Sequence, residues 1–120
     1  MKKFEKDYKI NFVDDANVLV GFDNSQSCCE NFGHFLSRKI PTNIDEGAEN
    51  IDTEGFNFDT KFFQEVTPAD EYFDCGGMVV FRLTKDAEEI FLTLYNSHNG
   101  YYSHGFEMTV GGTQIHDGSL

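Results

Sequence analysis

The sequence predicts an α+β domain that is mainly antiparallel β, with a central β-meander, N-terminal strands and at most one or two short helices. Apolar and polar residues alternate over three consecutive runs between Cys75 and Val110, which turn-like breaks separate. The 13 Phe and 5 Tyr residues favour sheet over helix. A chain of 120 residues fits a single domain, 1–120. The meander strands are expected at residues 78–84, 89–96 and 104–110.

The register of the first two meander strands follows from the faces that they must bury. A slip of one residue would turn every side chain to the opposite face of the sheet. A four-residue loop at 85–88 makes the apolar positions coincide. The predicted pairs are Leu83 with Ile90, Phe81 with Leu92 and Val79 with Leu94. The same register, extended, sets Cys75 opposite His98.

The loop before the third meander strand has an odd number of residues in this prediction. A two-residue turn at Asn99-Gly100 would be of type I′, but it would mix apolar and polar faces. A loop of three or five residues keeps Met108 and Val110 on the face of Leu92 and Leu94. We therefore expect the longer loop.

Three residues with metal-binding side chains would then meet at one end of the sheet. In the five-residue version of the loop, His98 lies directly opposite His104. Because Cys75 is expected across from His98, the three positions would line the same sheet end. A β-bulge at Gly76-Gly77 would shift the register and separate Cys75 from His98.

The rest of the chain is less regular. Residues 8–22 resemble a hairpin, and a short last strand is expected at 113–116. Residues 31–40 fit either a short helix or a strand, and 58–66 fit either a strand or a helical turn. Residues 41–57 form a long acidic loop with glycine breakers.

The outer face of the predicted meander is also apolar. Val80, Phe91 and Tyr95 point away from the face that carries the paired leucines. An apolar face of this kind either binds a partner or is covered by another part of the chain. The N-terminal hairpin is the segment that we expect to cover it if no partner does.

Negative charge is concentrated in the middle of the chain. The net charge is −12, and residues 41–75 carry ten acids and one base, whereas residues 1–40 carry six of each. Such a field repels nucleic acids and membrane surfaces and attracts basic protein surfaces. The alternative is that the charge serves solubility alone.

The acidic loop and an aromatic turn are the candidate partner-binding residues. Exposed tyrosines add large, rigid contact area at a low entropic cost. The alternative for the tyrosines is that one packs into the core and the other covers a sheet edge. The predicted set is Asp45, Glu46, Glu49, Asp52, Glu54, Tyr101 and Tyr102.

The sequence indicates a cytoplasmic protein. It contains no apolar run near the roughly 20 residues that a membrane span needs, and residues 1–12 lack the apolar core of a signal peptide. Three cysteines, two of them adjacent, do not form the disulfide framework of a secreted domain. Thiols or metal ligands fit better.

A structural zinc ion is the first interpretation of the cysteines and histidines. Zinc takes four tetrahedral ligands from thiolates and imidazoles. Adjacent cysteines on a strand point to opposite faces, so only one of the pair would reach the ion. The alternative is that the cysteines are ordinary buried residues and that the histidines are exposed turn residues. The candidate ligands are Cys28, Cys29, Cys75, His98 and His104.

A small Cys/His enzyme or ligand-binding domain is the rival functional class. Cys28 or Cys29 would act as the nucleophile, with a histidine as base and Glu30 or Asp23 as its orienting group. A reactive thiolate needs a nearby cation or helix terminus. The surrounding acids work against this, so we do not expect an enzyme.

Two short motifs carry a resemblance. Cys28-Cys29-Glu30 follows a predicted strand and a polar loop, and Asn99-Gly100-Tyr101-Tyr102-Ser103 follows another predicted strand. The pair resembles a family of small bacterial and phage proteins with Cys-Cys-Glu and Ser-Asn-Gly-Tyr-Tyr-Ser motifs and no assigned activity. This chain departs from that pattern by carrying His98 at the serine position.

A small, acidic, phage-like protein is also similar in character to anti-CRISPR inhibitors, some of which bind a metal for structural reasons. The similarity is one of type and not of motif. It implies a stoichiometric protein inhibitor that docks on the basic, nucleic-acid-handling surface of an effector nuclease, such as a type II CRISPR effector. No direct contact with nucleic acid or membrane is expected.

Overall fold

The computed structural model describes residues 1–24, 31–68, 75–98 and 103–120, and for Cys75 and His98 it describes the backbone alone. These residues form two antiparallel sheets. Sheet A has the strand order β1-β2-β3-β8-β9, and sheet B has the order β4-β7-β6-β5. The strands are β1 Lys2–Lys6, β2 Lys9–Val13, β3 Val18–Asp23, β4 Asn31–Ser37, β5 Asn57–Val66, β6 Cys75–Lys85, β7 Glu88–His98, β8 Gly105–Val110 and β9 Thr113–Ser119.

The prediction of a mainly antiparallel β fold is confirmed. The described ranges contain no helix, so the α component of the predicted class is absent from them. The two segments whose structure the sequence left open are both strands, β4 and β5. Their neighbours explain this, because β4 pairs along β7 and β5 pairs along β6.

The β6–β7 hairpin has the predicted register. Leu83 pairs with Ile90, and the pairing continues without a shift to Cys75 and His98. The connecting loop is tighter than predicted, because Lys85 pairs with Glu88. A two-residue turn and a four-residue loop both contain an even number of residues, so the same residues face each other in either case and the register is unchanged.

The strand predicted at 104–110 is present as β8, but its predicted place in the meander beside β7 is wrong. Strand β8 does not pair with β7, whose second edge is occupied by β4; it pairs with β3 and β9 in sheet A. Phe106 lies opposite Phe22, and Met108 lies opposite Val20. Met108 still contacts the core that contains Leu92, but it does so across the two sheets instead of within one.

One apolar core lies between the sheets. The strand alternation places the inward side chains of sheet A against those of sheet B. Sheet A contributes Ile10, Phe12, Val18, Val20, Phe22, Phe106 and Met108, and sheet B contributes Val79, Phe81, Leu83, Ile90, Leu92 and Leu94. The N-terminal hairpin therefore covers the inner face of sheet B and not its outer face.

The acidic loop packs on the outer face of sheet B, where side chains of the sheet's own strands also contact one another. Ile44 packs on the buried cluster that includes Met78 and Tyr95, and the Phe62 ring lies 5.7 Å from that of Phe91. Val80 is fully buried. The apolar outer face that the sequence indicates is therefore real, but other segments of the chain cover it.

A buried carboxylate ties the two sheets together. Asp14, in the β2–β3 turn, accepts hydrogen bonds through Oδ1 from the backbone N–H groups of Ala16 and Val18, each at 2.9 Å. Its Oδ2 accepts one from the N–H of Phe58 in β5, at 2.8 Å. Charge-assisted bonds of this kind are stronger than neutral ones, so this side chain fixes a turn of sheet A against an edge strand of sheet B.

Candidate functional site

The acidic loop, residues 41–57, is held to the sandwich along its length. Ala48 forms a bridge with Ser37 of β4, and the N–H of Glu49 donates to the carbonyl of Leu36 at 2.9 Å. Ile44 packs on the outer face of sheet B, whereas Ile51 and Phe56 contact the core between the sheets. The backbone that carries the acids is therefore anchored on both sides of sheet B.

The five predicted partner-binding acids of this loop are all exposed. Glu46 accepts hydrogen bonds from the backbone N–H and the hydroxyl of Thr42, at 3.2 and 2.8 Å. Glu49 lies 3.6 Å from the Arg38 guanidinium. Both partners of that pair are more than half exposed, so the interaction is screened and weak. The loop consequently presents most of its negative charge to solvent.

The acidic loop also acts on a tyrosine beneath it. Tyr95 is buried in the outer face of sheet B. Burial, and then the negative charge of Asp45, raise the pKa of its phenol. Both effects disfavour the phenolate, so the Tyr95 phenol is neutral at neutral pH.

The predicted Cys/His sheet end is partly assembled in the backbone. Cys75 pairs with His98 at the end of the β6–β7 hairpin. The Asn96 side chain, two residues before His98, donates a 3.0 Å hydrogen bond to the carbonyl of Leu120. Leu120 in turn exchanges two backbone hydrogen bonds of 2.9 Å with His104. The expected direct pairing of His98 with His104 is wrong, because His98 ends β7 in sheet B, whereas His104 precedes β8, which pairs within sheet A.

His104 is buried and has a defined orientation. Its ring stacks on Phe32, with ring centroids 4.1 Å apart, and its Nδ1 lies 2.6 Å from the carbonyl oxygen of Asp23. A carbonyl only accepts hydrogen bonds, so Nδ1 carries a proton and donates it. This geometry is typical of metal-ligating histidines, which bind the ion through one nitrogen and donate from the other.

Four of the predicted site residues lie outside the described residues: Cys28, Cys29, Tyr101 and Tyr102. Within the described ranges, no three His, Cys, Asp or Glu side chains form a metal-binding group. That finding does not test the zinc prediction, since its cysteines are not among the side chains described. The zinc site therefore stays a prediction.

Two features of the structure were missed from the sequence. His34 of β4 lies edge-on to Phe12, with ring centroids 5.1 Å apart. Burial first, and then the positive charge of Lys3, lower its pKa, against a smaller opposing effect of Glu5. The second feature is a groove on sheet A over Gly21. A glycine inside a strand is the signal that was available for it.

Comparison with known proteins assigns a family. Residues 1–108 match the model described as Domain of unknown function (DUF7448). The chain belongs to this family. The DUF7448 description gives no activity, and searches of curated proteins and of solved structures each found no match. The described residues include no helix that is long and apolar enough to cross a membrane.

Proposed function

We propose that this DUF7448 chain is a stoichiometric protein inhibitor that binds a basic, nucleic-acid-handling surface of an effector nuclease, in the manner of anti-CRISPR proteins. One observation carries the proposal. Five carboxylates are exposed on a single loop, whose backbone is anchored to the sandwich by Ala48 and Glu49. A fixed array of this kind loses little conformational entropy when it binds.

The charge balance supports a basic partner. The net charge is −12, and the loop lies in the segment that holds ten acids and one base. Surfaces that bind nucleic acid carry clustered Lys and Arg. An acidic loop competes for such a surface, and the attraction raises the association rate at low ionic strength. Tyr101 and Tyr102 are part of the proposed interface as aromatic anchors.

A structural zinc ion is part of the proposal. His104 would coordinate it through Nε2, because Nδ1 donates to the carbonyl of Asp23. The further ligands would be Cys75, His98 and one of the adjacent pair Cys28 and Cys29. Such an ion would join the sheet end to the segment before β4. Metal content of the purified protein tests this directly: His98→Ala and Cys75→Ser should remove zinc and lower the melting temperature.

The matched control for the zinc test is His116→Gln. His116 stacks on Phe63 at a centroid distance of 4.4 Å and is not among the proposed ligands. If metal content and melting temperature are the same in His98→Ala, Cys75→Ser and the control, the zinc proposal is wrong.

The inhibitor proposal is tested by affinity capture. The purified chain is mixed with an assembled CRISPR effector nuclease, with its guide RNA, at low and at high salt, and the bound proteins are identified by mass spectrometry. We expect capture in a one-to-one ratio that weakens as salt rises, because the contact is between opposite charges. Failure to capture the nuclease at low salt would contradict the proposal.

Two charge-matched variants show whether the loop is responsible. The first neutralises the loop with Asp45→Asn, Glu46→Gln, Glu49→Gln, Asp52→Asn and Glu54→Gln. The second neutralises five exposed acids elsewhere, with Glu5→Gln, Asp15→Asn, Glu65→Gln, Asp86→Asn and Glu88→Gln. Amides keep an acceptor oxygen for the local hydrogen bonds of the loop. Only the first variant should lose capture; equal loss in both would indicate a general charge effect.

A further inference from the structure

The outer face of sheet A contains a groove that lies away from the acidic loop. Its volume is about 410 Å³, within the range of small-ligand sites. Its floor is formed at Gly21 of β3 and Gly105 of β8, where the sheet has no side chains. Asp7 and Tyr8, in the β1–β2 turn, line one side, and Asp117 of β9 lines the opposite side.

Acceptor oxygens converge over the floor of this groove. A Cβ placed on Gly21 would lie 3.1 Å from Oδ1 of Asn11 and 3.5 Å from Oε1 of Glu107. Asn11 is 92% buried, since its relative exposure is 8%. Its Oδ1 accepts no hydrogen bond from the described residues, and its amide reaches only the carbonyl of Lys9, at 3.5 Å. This acceptor oxygen lies beside the glycine floor and is therefore available to a ligand that donates hydrogen bonds.

The groove already accommodates a cation of the chain itself. The Lys9 ammonium on β2 lies 3.1 Å from Glu107 on β8, although β3 lies between these strands. The side chains meet because Gly21, on the strand between them, leaves the space open. Asp7 and Asp117 are exposed and form no ion pair within the described part of the chain. The groove therefore has more negative charge than Lys9 neutralises.

We propose that this groove binds an arginine side chain from an extended basic segment of a protein partner. The guanidinium is planar and donates in several directions, so it can satisfy carboxylates on opposite sides of a groove at once. Tyr8 is 81% exposed at the rim, where its ring can stack on that plane. The site is separate from the acidic loop and does not depend on the inhibitor proposal.

Tyr8 is held at this rim by the turn. Asp7 and Tyr8 both have positive φ angles, 54° and 61°, as a two-residue type I′ turn requires. The Asn24 N–H donates a 2.8 Å hydrogen bond to the carbonyl of Tyr8. An exposed tyrosine in a conformation that bulky residues rarely adopt is thus fixed beside the acids.

The test uses the peptide acetyl-Gly-Arg-Gly-amide and its citrulline analogue, which has almost the same shape and no charge. Each is titrated into the full chain labelled with ¹⁵N, and the amide shifts are followed. The amides of Gly21 and Gly105 should shift saturably with the arginine peptide only. Asp117→Asn should weaken binding by about threefold. Lys9→Met should strengthen it, because Glu107 then loses its competing cation.

The control variant is Asp86→Asn, an exposed position in the β6–β7 turn, which should bind the arginine peptide with unchanged affinity. Three results would overturn the inference: no saturable shift, an equal response to the citrulline peptide, or shifts that map to residues 45–54. None of these results depends on whether the nuclease is captured, so the two proposals fail separately.

Discussion

The outer face of sheet B is buried, whereas the outer face of sheet A is open to solvent. In sheet B, outward positions such as Val80 and Phe91 are as buried as the inward ones. In sheet A, the outward positions carry Lys9 and Glu107, which are partly exposed. Both sheets use the same period-two geometry. The difference shows that the side chains on the outer face of a sheet decide whether other segments must cover that face.

The largest effect is expected from placing a charge on each outer face. Val80→Asp should destabilise the fold by about 4 kcal/mol or more, because the carboxylate would be buried without a partner. Leu19→Asp, on the half-exposed outer face of sheet A, should cost about 1 kcal/mol. Chemical denaturation measures both. An equal loss of stability in the two variants would contradict the difference in burial between the two outer faces.

A second comparison concerns close packing over glycines. A Cβ on Gly33 of β4 would lie 2.8 Å from the Tyr95 hydroxyl oxygen, on the covered face. Gly33→Ala should therefore cost about 2 kcal/mol. The matched control is Gly105→Ala on sheet A, where the nearest atom is 3.8 Å away. Thermal melts of the two variants should differ clearly, and similar melts would mean that Tyr95 moves freely.

The packing of the acidic loop on the outer face of sheet B can be weakened by substitution. Ile44 packs on the outer face of sheet B, so Ile44→Ala should cost about 1 to 2 kcal/mol and speed amide hydrogen exchange in the acidic loop. Ile115 of β9 is 39% exposed, and Ile115→Ala should change stability by at most about 0.5 kcal/mol. Unchanged exchange in the Ile44 variant would show that the loop is held by its backbone contacts alone.

A stabilising substitution sharpens the same comparison. Thr93 lies on the outer face of sheet B and is fully buried, and its hydroxyl has no hydrogen-bond partner among the residues that the structure describes. Thr93→Val keeps the shape and removes the unpaired group, so it should stabilise the fold by about 1 kcal/mol. Urea denaturation measures the change. A loss of stability would indicate that the hydroxyl has a hydrogen-bond partner outside the described residues.

The smallest effect is a pH dependence from His34. Burial lowers its pKa below the ordinary value of 6.5, so the unfolded chain takes up a proton at a higher pH than the folded one does. Stability should therefore fall as pH drops through 6.5 and level off below the folded-state pKa. His34→Gln should flatten this slope, with His116→Gln as the control. An unchanged slope in His34→Gln would contradict the assignment.

The sequence was sufficient for the β6–β7 hairpin, including the backbone pair of Cys75 with His98, because alternation on two faces leaves one acceptable register. It was not sufficient for β8. The alternation of apolar and polar residues predicts that Phe106 and Met108 lie on the buried face of β8. It does not predict which strand lies beside β8, because both sheets bury one face in the same core. The pairing of Met108 with Val20 joins residues that are far apart in the sequence, and no pattern of neighbouring residues predicts it.

The candidate site was predictable only in part. The exposure of the acidic loop follows from its composition, and the structure agrees. The orientation of His104 depends on the carbonyl of Asp23, which is distant in sequence, and no pattern of residue types indicates such a contact. The groove over Gly21 likewise arises from side chains on separate strands that meet only after the sheets assemble.

The pairing of β3 with β8 also determines when sheet A can form during synthesis. Val18 pairs with Val110, so the contact order of this sheet is high, whereas the β6–β7 hairpin is local. Topologies rich in distant contacts fold slowly. On the ribosome, the hairpin of β2 and β3 must wait with one edge of β3 unpaired until residue 110 has emerged, and an open edge of this kind is a site for aggregation.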